Sequence, residues 1–230
     1  MRKQDVRRWL DYQIAGRRIV IAEHRDVGDY DVFRLSRPNI ETIGNWYRDQ
    51  AYLFDTSVIT EQQTNLLDII EIYIKQFGCR FVLIDNLMTA IDIMDIRGEK
   101  FERQELLCKA LARMAQKYNA MIVLVAHKKK TQFPADENDD VLGSSEITNL
   151  AGVVLSYGRS KDIDGNQRLI KVTKNRLYGN IDFDGIVCDY DPASKRIYAA
   201  DDPGAPGRLS ACFAPADGFV PVTEEEDVPF

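Results

Sequence analysis

The sequence predicts an α/β fold, a doubly wound and mostly parallel sheet with an antiparallel hairpin added at one edge. Three observations carry this expectation. The apolar run 81–84 within "CRFVLIDNLMTA" and the segment "AMIVLVAH" (120–127) are apolar along their whole length, as strands covered on both faces are. Between them lies "EKFERQELLCKALARMAQKYN" (99–119), a long stretch of helical periodicity of the kind that connects parallel strands. Near the end, "GIVCDYDPASKRIYAA" (185–200) reads as two short strands around a turn.

Taken in order, "DVRRWLDYQIA" places Val6, Trp9, Leu10 and Ile14 at helical spacing, with Gly16 as a stop. "RIVIAEH" (18–24) and "AYLFD" (51–55) read as short strands, with "NIETIGNWYR" (39–48) between them as a helix capped near Asn39. "TEQQTNLLDIIEIYIKQFG" (60–78) is expected as a helix of about five turns ending at Gly78. The strand 81–84 follows, then a loop rich in Asp, the long helix and the second apolar strand. "GSSEITNLAG" gives a short helix, and "VVLSYGR" and "QRLIKVTKNR" give two further strands before the hairpin. From about Ala199 periodicity gives way to Asp, Pro, Gly and Ala, so residues 1–198 are expected as one domain and 199–230 as a flexible acidic tail.

Charge and cysteine content narrow the classes of function. Residues 201–230 hold seven acids and one base, Arg208, so the whole formal charge of −6 belongs to this stretch and the body is balanced. A low overall pI therefore leaves room for a nucleic-acid partner of the body. No apolar run approaches the roughly 20 residues that span a bilayer, and the basic start has no apolar segment behind it, which points to a cytoplasmic protein without a membrane partner. Cys79, Cys108, Cys188 and Cys212 are far apart, with neither CxxC spacing nor a neighbouring His, so neither zinc nor a disulfide framework is suggested.

The chemistry-bearing residues cluster after the two apolar strands. Asp85, followed by Asn86, ends the first strand, and the carboxyl edge of a parallel sheet is where such folds bind ligands. The same residue type also caps turns. His127 ends the second strand at what should be the same edge; it suits a sensor of a terminal phosphate, or an ordinary hydrogen-bonded loop histidine. Lys128, Lys129 and Lys130 then open a segment without apolar period that runs to Gly143, Ser144 and Ser145. Lysines there fit a phosphodiester backbone, and the Gly-Ser-Ser start of a helix offers anion-binding N–H groups; a solvated basic turn fits too. In "KVTKNRLYGN", Lys174 and Arg176 lie two apart, on one side of a strand, where two cations suit a triphosphate or a salt-bridged strand end.

The ordered set formed by the Asp-ended strand, long helix, "VAH" with basic residues, "GSSEITN", a strand ending at Arg159 and "KNR" resembles the RecA-type motor of hexameric replicative DNA helicases. It is most similar to the phage and Twinkle-like branch, whose motor is often fused to a Toprim primase. The resemblance covers residues 1–198 and implies a RecA-like fold. It implies that Asp85, with Asn86, binds ATP and its magnesium ion as the Walker B aspartate, and that His127 is the phosphate sensor. Lys128, Lys129 and Lys130, with Gly143, Ser144 and Ser145, would line the channel for single-stranded DNA. Lys174 and Arg176 would reach the neighbouring subunit's ATP, Arg176 as the finger. The implied partners are a homo-hexamer or a complementary helicase subunit.

Two departures stand out. No GxxxxGK[ST] phosphate loop occurs in the 230 residues. In the family that loop and the glutamate that activates water precede the helix resembled by "MRKQDVRRWLDYQIAG", so the fold is expected without its N-terminal P-loop unit. Gly152 replaces a usually acidic residue. The sequence therefore supports a helicase portion, or alternatively a non-catalytic module that binds DNA or the ring in trans. The end, "TEEEDVPF", resembles the tip of bacterial single-stranded-DNA-binding proteins, implying a replisome partner with a basic pocket.

Overall fold

The computed structural model describes residues 3–54, 65–93, 98–127, 145–158, 167–215 and 217–220. It is a mixed α/β structure with parallel and antiparallel sheets. The chain divides into two compact units, one of residues 1–54, 158–170 and 186–230 and one of residues 55–157 and 171–185.

The second unit contains α3 (Leu66–Gln76), β3 (Phe81–Asp85), α4 (Leu87–Ile93), α5 (Lys100–Tyr118), β4 (Met121–Val125) and α6 (Ser145–Leu150). Leu66, Ile70 and Ile74 recur every four residues and so share one face of α3. They pack with Leu87 and Ile91 of α4 and with Leu107 and Leu111 of α5. At the end of α3, Gly78 at φ 69 turns the chain so that the Cys79 N–H donates to the Tyr73 carbonyl at 3.1 Å. On the outer side, Glu71 receives Lys75 at 2.6 Å and the Tyr118 hydroxyl. These two bonds hold its carboxyl down at about 2.

Strands β3 and β4 are parallel and in register, Phe81 opposite Met121 and Asp85 opposite Val125. Val82, Ile84, Ile122 and Leu124 pack against the helical core. The other face is not covered as the continuous apolar runs suggest, because Phe81, Leu83 and Met121 are each more than half exposed. The expected Asp-rich loop is helical over α4, and "AYLFD" forms no strand over residues 51–54.

The first unit begins with α1 (Lys3–Ala15), which stops as expected at Gly16. There φ is 66, and a Cβ would lie 2.4 Å from the Ala211 carbonyl oxygen, so glycine is required twice over. The buried face of α1 is rotated from the sequence expectation; it is formed by Asp11, Tyr12, Ile14 and Ala15, and Trp9 is exposed. The reason is polar, since the Tyr12 hydroxyl donates to the Phe33 carbonyl at 2.5 Å and Asp11 accepts from Tyr47 at 2.8 Å. Burial raises the Asp11 carboxyl, against the lowering effect of Tyr47 and Arg7.

Strands β1 (Ile21–Arg25) and β2 (Tyr30–Arg34) form an antiparallel hairpin, and α2 (Arg37–Trp46) starts two residues before Asn39, with Pro38 in its first turn. The last sheet runs β5 (Val153–Gly158), β6 (Arg168–Asn175), β7 (Asp182–Asp191), β8 (Arg196–Ala199), and β7 and β8 form the expected antiparallel hairpin. The stretch after Ala199 is not a flexible tail over its described part. Helix α7 (Ala205–Ser210) buries Ala205 and Leu209, Ala214 joins the core of this unit, and Val220 exchanges hydrogen bonds with the Asn39 amide.

At the end of β7, Asp191 is 2% exposed and its Oδ1 accepts from Arg17 Nε and Nη2 at 2.9 and 2.7 Å. Its Oδ2 accepts from the Ser194 N–H at 2.9 Å and from the Ser194 hydroxyl. Burial opposes the charge, but Arg17 and Ser194 outweigh it and the carboxyl lies below its ordinary value. Asp191→Ala should cost about 3 kcal/mol, the low end for a broken buried ion pair because Arg17 is half exposed. With the native pKa depressed, this stabilisation is complete above the unfolded carboxylate range and disappears as pH falls through the native value. Urea unfolding of both proteins at pH 7 and in acid should show the difference shrinking in acid; equal differences would contradict the linkage.

Candidate functional site at the carboxyl edge of the parallel strand pair

Parallel pairing brings the ends of β3 and β4 side by side, and with them Asp85, Asn86 and His127. Asp85 closes β3 with an exposed carboxylate, on the same face as Phe81 and Leu83, as the period of two requires. The Asp85–Asn86 peptide bond is cis.

Asn86 has two structural tasks. Its Oδ1 accepts from the backbone N–H groups of Met88 at 3.0 Å and Thr89 at 3.2 Å, which caps the start of α4. Its Nδ2 lies 3.3 Å from His127 Nε2, two residues past the end of β4. The second contact joins the two strand ends, so sequence positions 86 and 127, separated by about forty residues, form one surface. Among the described residues no group of three or more His, Cys, Asp and Glu side chains is placed to hold a metal ion. A magnesium ion carried by phosphates needs only one or two protein carboxylates, and exposed Asp85 fits that role; the phosphates themselves find no Gly-rich cradle in the sequence.

The cations expected at a triphosphate are separated by their surroundings. Lys174, near the end of β6, donates from Nζ to the carbonyls of Thr148 and of Asn149, the latter at 3.0 Å. These carbonyls belong to the last turn of α6, where a cation complements the negative end of the helix dipole. Burial, helped by Arg176, lowers the Lys174 pKa. Arg176 does not share a strand with Lys174, because β6 ends at Asn175 and Arg176 begins the turn that follows. The Asn175 Oδ1 closes that turn by accepting from the N–H groups of Leu177 and Tyr178. The Arg176 side chain is exposed, while its N–H donates to the Gly152 carbonyl at 2.8 Å.

Of the residues expected to meet DNA, Ser145 opens α6, and Lys128, Lys129, Lys130, Gly143 and Ser144 lie outside the described residues, as do Arg159 and "TEEEDVPF". Burial pushes the Cys108 thiol up to about 11, which suits a core residue and not a nucleophile. Among the described residues no helix is long and apolar enough to cross a membrane. Compared with protein-family models and with curated proteins, the chain matches none.

Two features of these candidate residues escaped the sequence reading. The Asn86 cap was recoverable, since Asn directly before a helical run is a start signal. The seat of Lys174 on α6 was not, because the accepting groups are backbone carbonyls. Asn86→Ala should cost about 1 kcal/mol through loss of the cap. Faster hydrogen exchange at the Met88 and Thr89 amides would verify this, and unchanged exchange there would refute it.

Proposed function

We propose that the chain is part of the RecA-like motor of a hexameric replicative DNA helicase, carrying the magnesium-holding aspartate, the phosphate sensor and the arginine finger. The observation that supports this reading is the juxtaposition of Asp85 and the Asn86–His127 pair at the carboxyl edge of adjacent parallel strands. In this reading Asp85 would hold the magnesium ion of ATP, and His127 would donate a hydrogen bond to the terminal phosphate. Arg176, exposed in the turn after β6, reaches a neighbouring subunit's nucleotide. Lys174 supports α6, whose first residue, Ser145, is one of those proposed to meet single-stranded DNA. The nucleotide supplies the phosphoryl group; these side chains orient it and stabilise its charge.

A second reading, a non-catalytic module that acts in trans on DNA or on a helicase ring, is favoured by the absence of any GxxxxGK[ST] segment from the sequence. Both readings give the same result for the chain alone, which is no appreciable ATP hydrolysis. Steady-state phosphate release measures it, and turnover that disappears in Asp85→Ala would show a complete site and sink this expectation.

Mixing with a complete ring helicase separates the roles. The chain should change the ring's DNA-stimulated ATPase, and Arg176→Ala should remove that change, since a finger is worth about 10³-fold or more in phosphoryl transfer. If Arg176→Ala alters the mixture as the parent chain does, Arg176 is not the finger.

A further inference from the structure

We propose that Asn86 is a positioning residue that fixes the tautomer of His127, making the imidazole a hydrogen-bond donor through Nδ1–H and withdrawing Nε2 from proton transfer. The tautomer follows from local geometry alone; its meaning for catalysis rests on His127 being the phosphate sensor.

The amide of Asn86 has only one consistent orientation. Its oxygen is identified by two backbone donors, Met88 N–H at 3.0 Å and Thr89 N–H at 3.2 Å. The group facing His127 is therefore the NH2, which donates and does not accept. His127 Nε2, 3.3 Å away, must offer its lone pair. In the neutral ring the proton is then on Nδ1. Among the described residues Nδ1 has no partner, and the side chain is exposed, so this N–H is available to a ligand.

An unconstrained neutral histidine in water carries its proton mostly on Nε2, so the Asn86 contact reverses the ordinary preference. The reversal has a chemical consequence. A Nδ1–H donor can hold a phosphoryl oxygen, but it cannot take a proton from an attacking water at that atom. Accepting a proton at Nε2 would break the bond to Asn86, whose oxygen is already occupied by two N–H groups. The geometry thus separates sensing from general-base catalysis and assigns His127 the former.

Nitrogen-15 NMR of the full chain tests this directly. The protein has two histidines, and His24→Gln identifies the signals of His127. Spectra are recorded without nucleotide at about pH 8, above the ordinary histidine pKa of about 6.5. His127 should show an unprotonated Nε2 and a protonated Nδ1. Asn86→Ala should return the ring to a mixture dominated by Nε2–H. Asn86→Asp retains the oxygen that caps α4 but faces the ring with an acceptor, and should place the proton on Nε2, so the test does not depend on the alanine variant folding. A protonated Nε2 in the parent chain, or one pattern in parent and Asn86→Asp alike, overturns the proposal. Since no nucleotide is present, failure of the helicase reading in the mixing assay leaves the tautomer assignment intact, and an Nε2–H parent removes it whatever that assay gives.

Discussion

The in-register parallel pairing of β3 with β4 is the constraint on which the candidate site depends. Asp85 is opposite Val125, so the residue after one strand and the residue two beyond the other meet as Asn86 and His127. A slip of one residue would turn Val82 and Ile84 outward and drive Phe81, Leu83 and the Asp85 carboxylate into the helical core. The core forbids it: Leu107, Leu87 and Ile91 are at most 1% exposed and pack where the inward side chains of the two strands end. The side-chain volumes of α4 and α5 thus hold the register, and the register holds the polar edge.

A different device organises the unit that carries both ends of the chain. The Arg196 guanidinium donates to the carbonyls of Gln13, Arg208 and Ala211 and stacks on Phe213 with 4.3 Å to the ring centroid. Its fork of five donors suits three carbonyls that converge from α1 and from the C-terminal end of α7, something a lysine ammonium would do less well. Burial lowers its pKa. Through this one side chain the segment after Ala199 is joined to the first helix, with the Phe213 N–H to Ile14 carbonyl bond at 2.9 Å beside it.

This explains where the sequence was legible and where it was not. The long helix, the two apolar strands, the hairpin and the Gly16 stop follow from periodicity and backbone preference, which act within a few residues. The carboxyl-edge placement of Asp85 and His127 was legible for the same reason, since it needs only that two strands be parallel. The ordered segment beyond Ala199 was not, because its Pro, Gly and Ala composition gives no period and its anchor, Arg196, bonds to carbonyls that every residue possesses. The β1–β2 hairpin was overlooked although "DVGD" marks its turn, with Gly28 and Asp29 at positive φ. The rotated face of α1 arose from Tyr12 and Asp11, whose hydrogen bonds count for more than the hydrophobicity of Trp9.

The uncovered face of the β3–β4 pair has a consequence for the protein in bulk. Phe81, Leu83 and Met121 form an apolar strip that ends at Asp85, on a two-stranded parallel sheet, a construction that rarely survives without cover. Two such strips meeting would remove apolar area at about 25 cal/mol per Å². A copy or partner that bound the strip would draw the folded population with it by mass action, and the melting temperature would then vary with concentration as well as sequence.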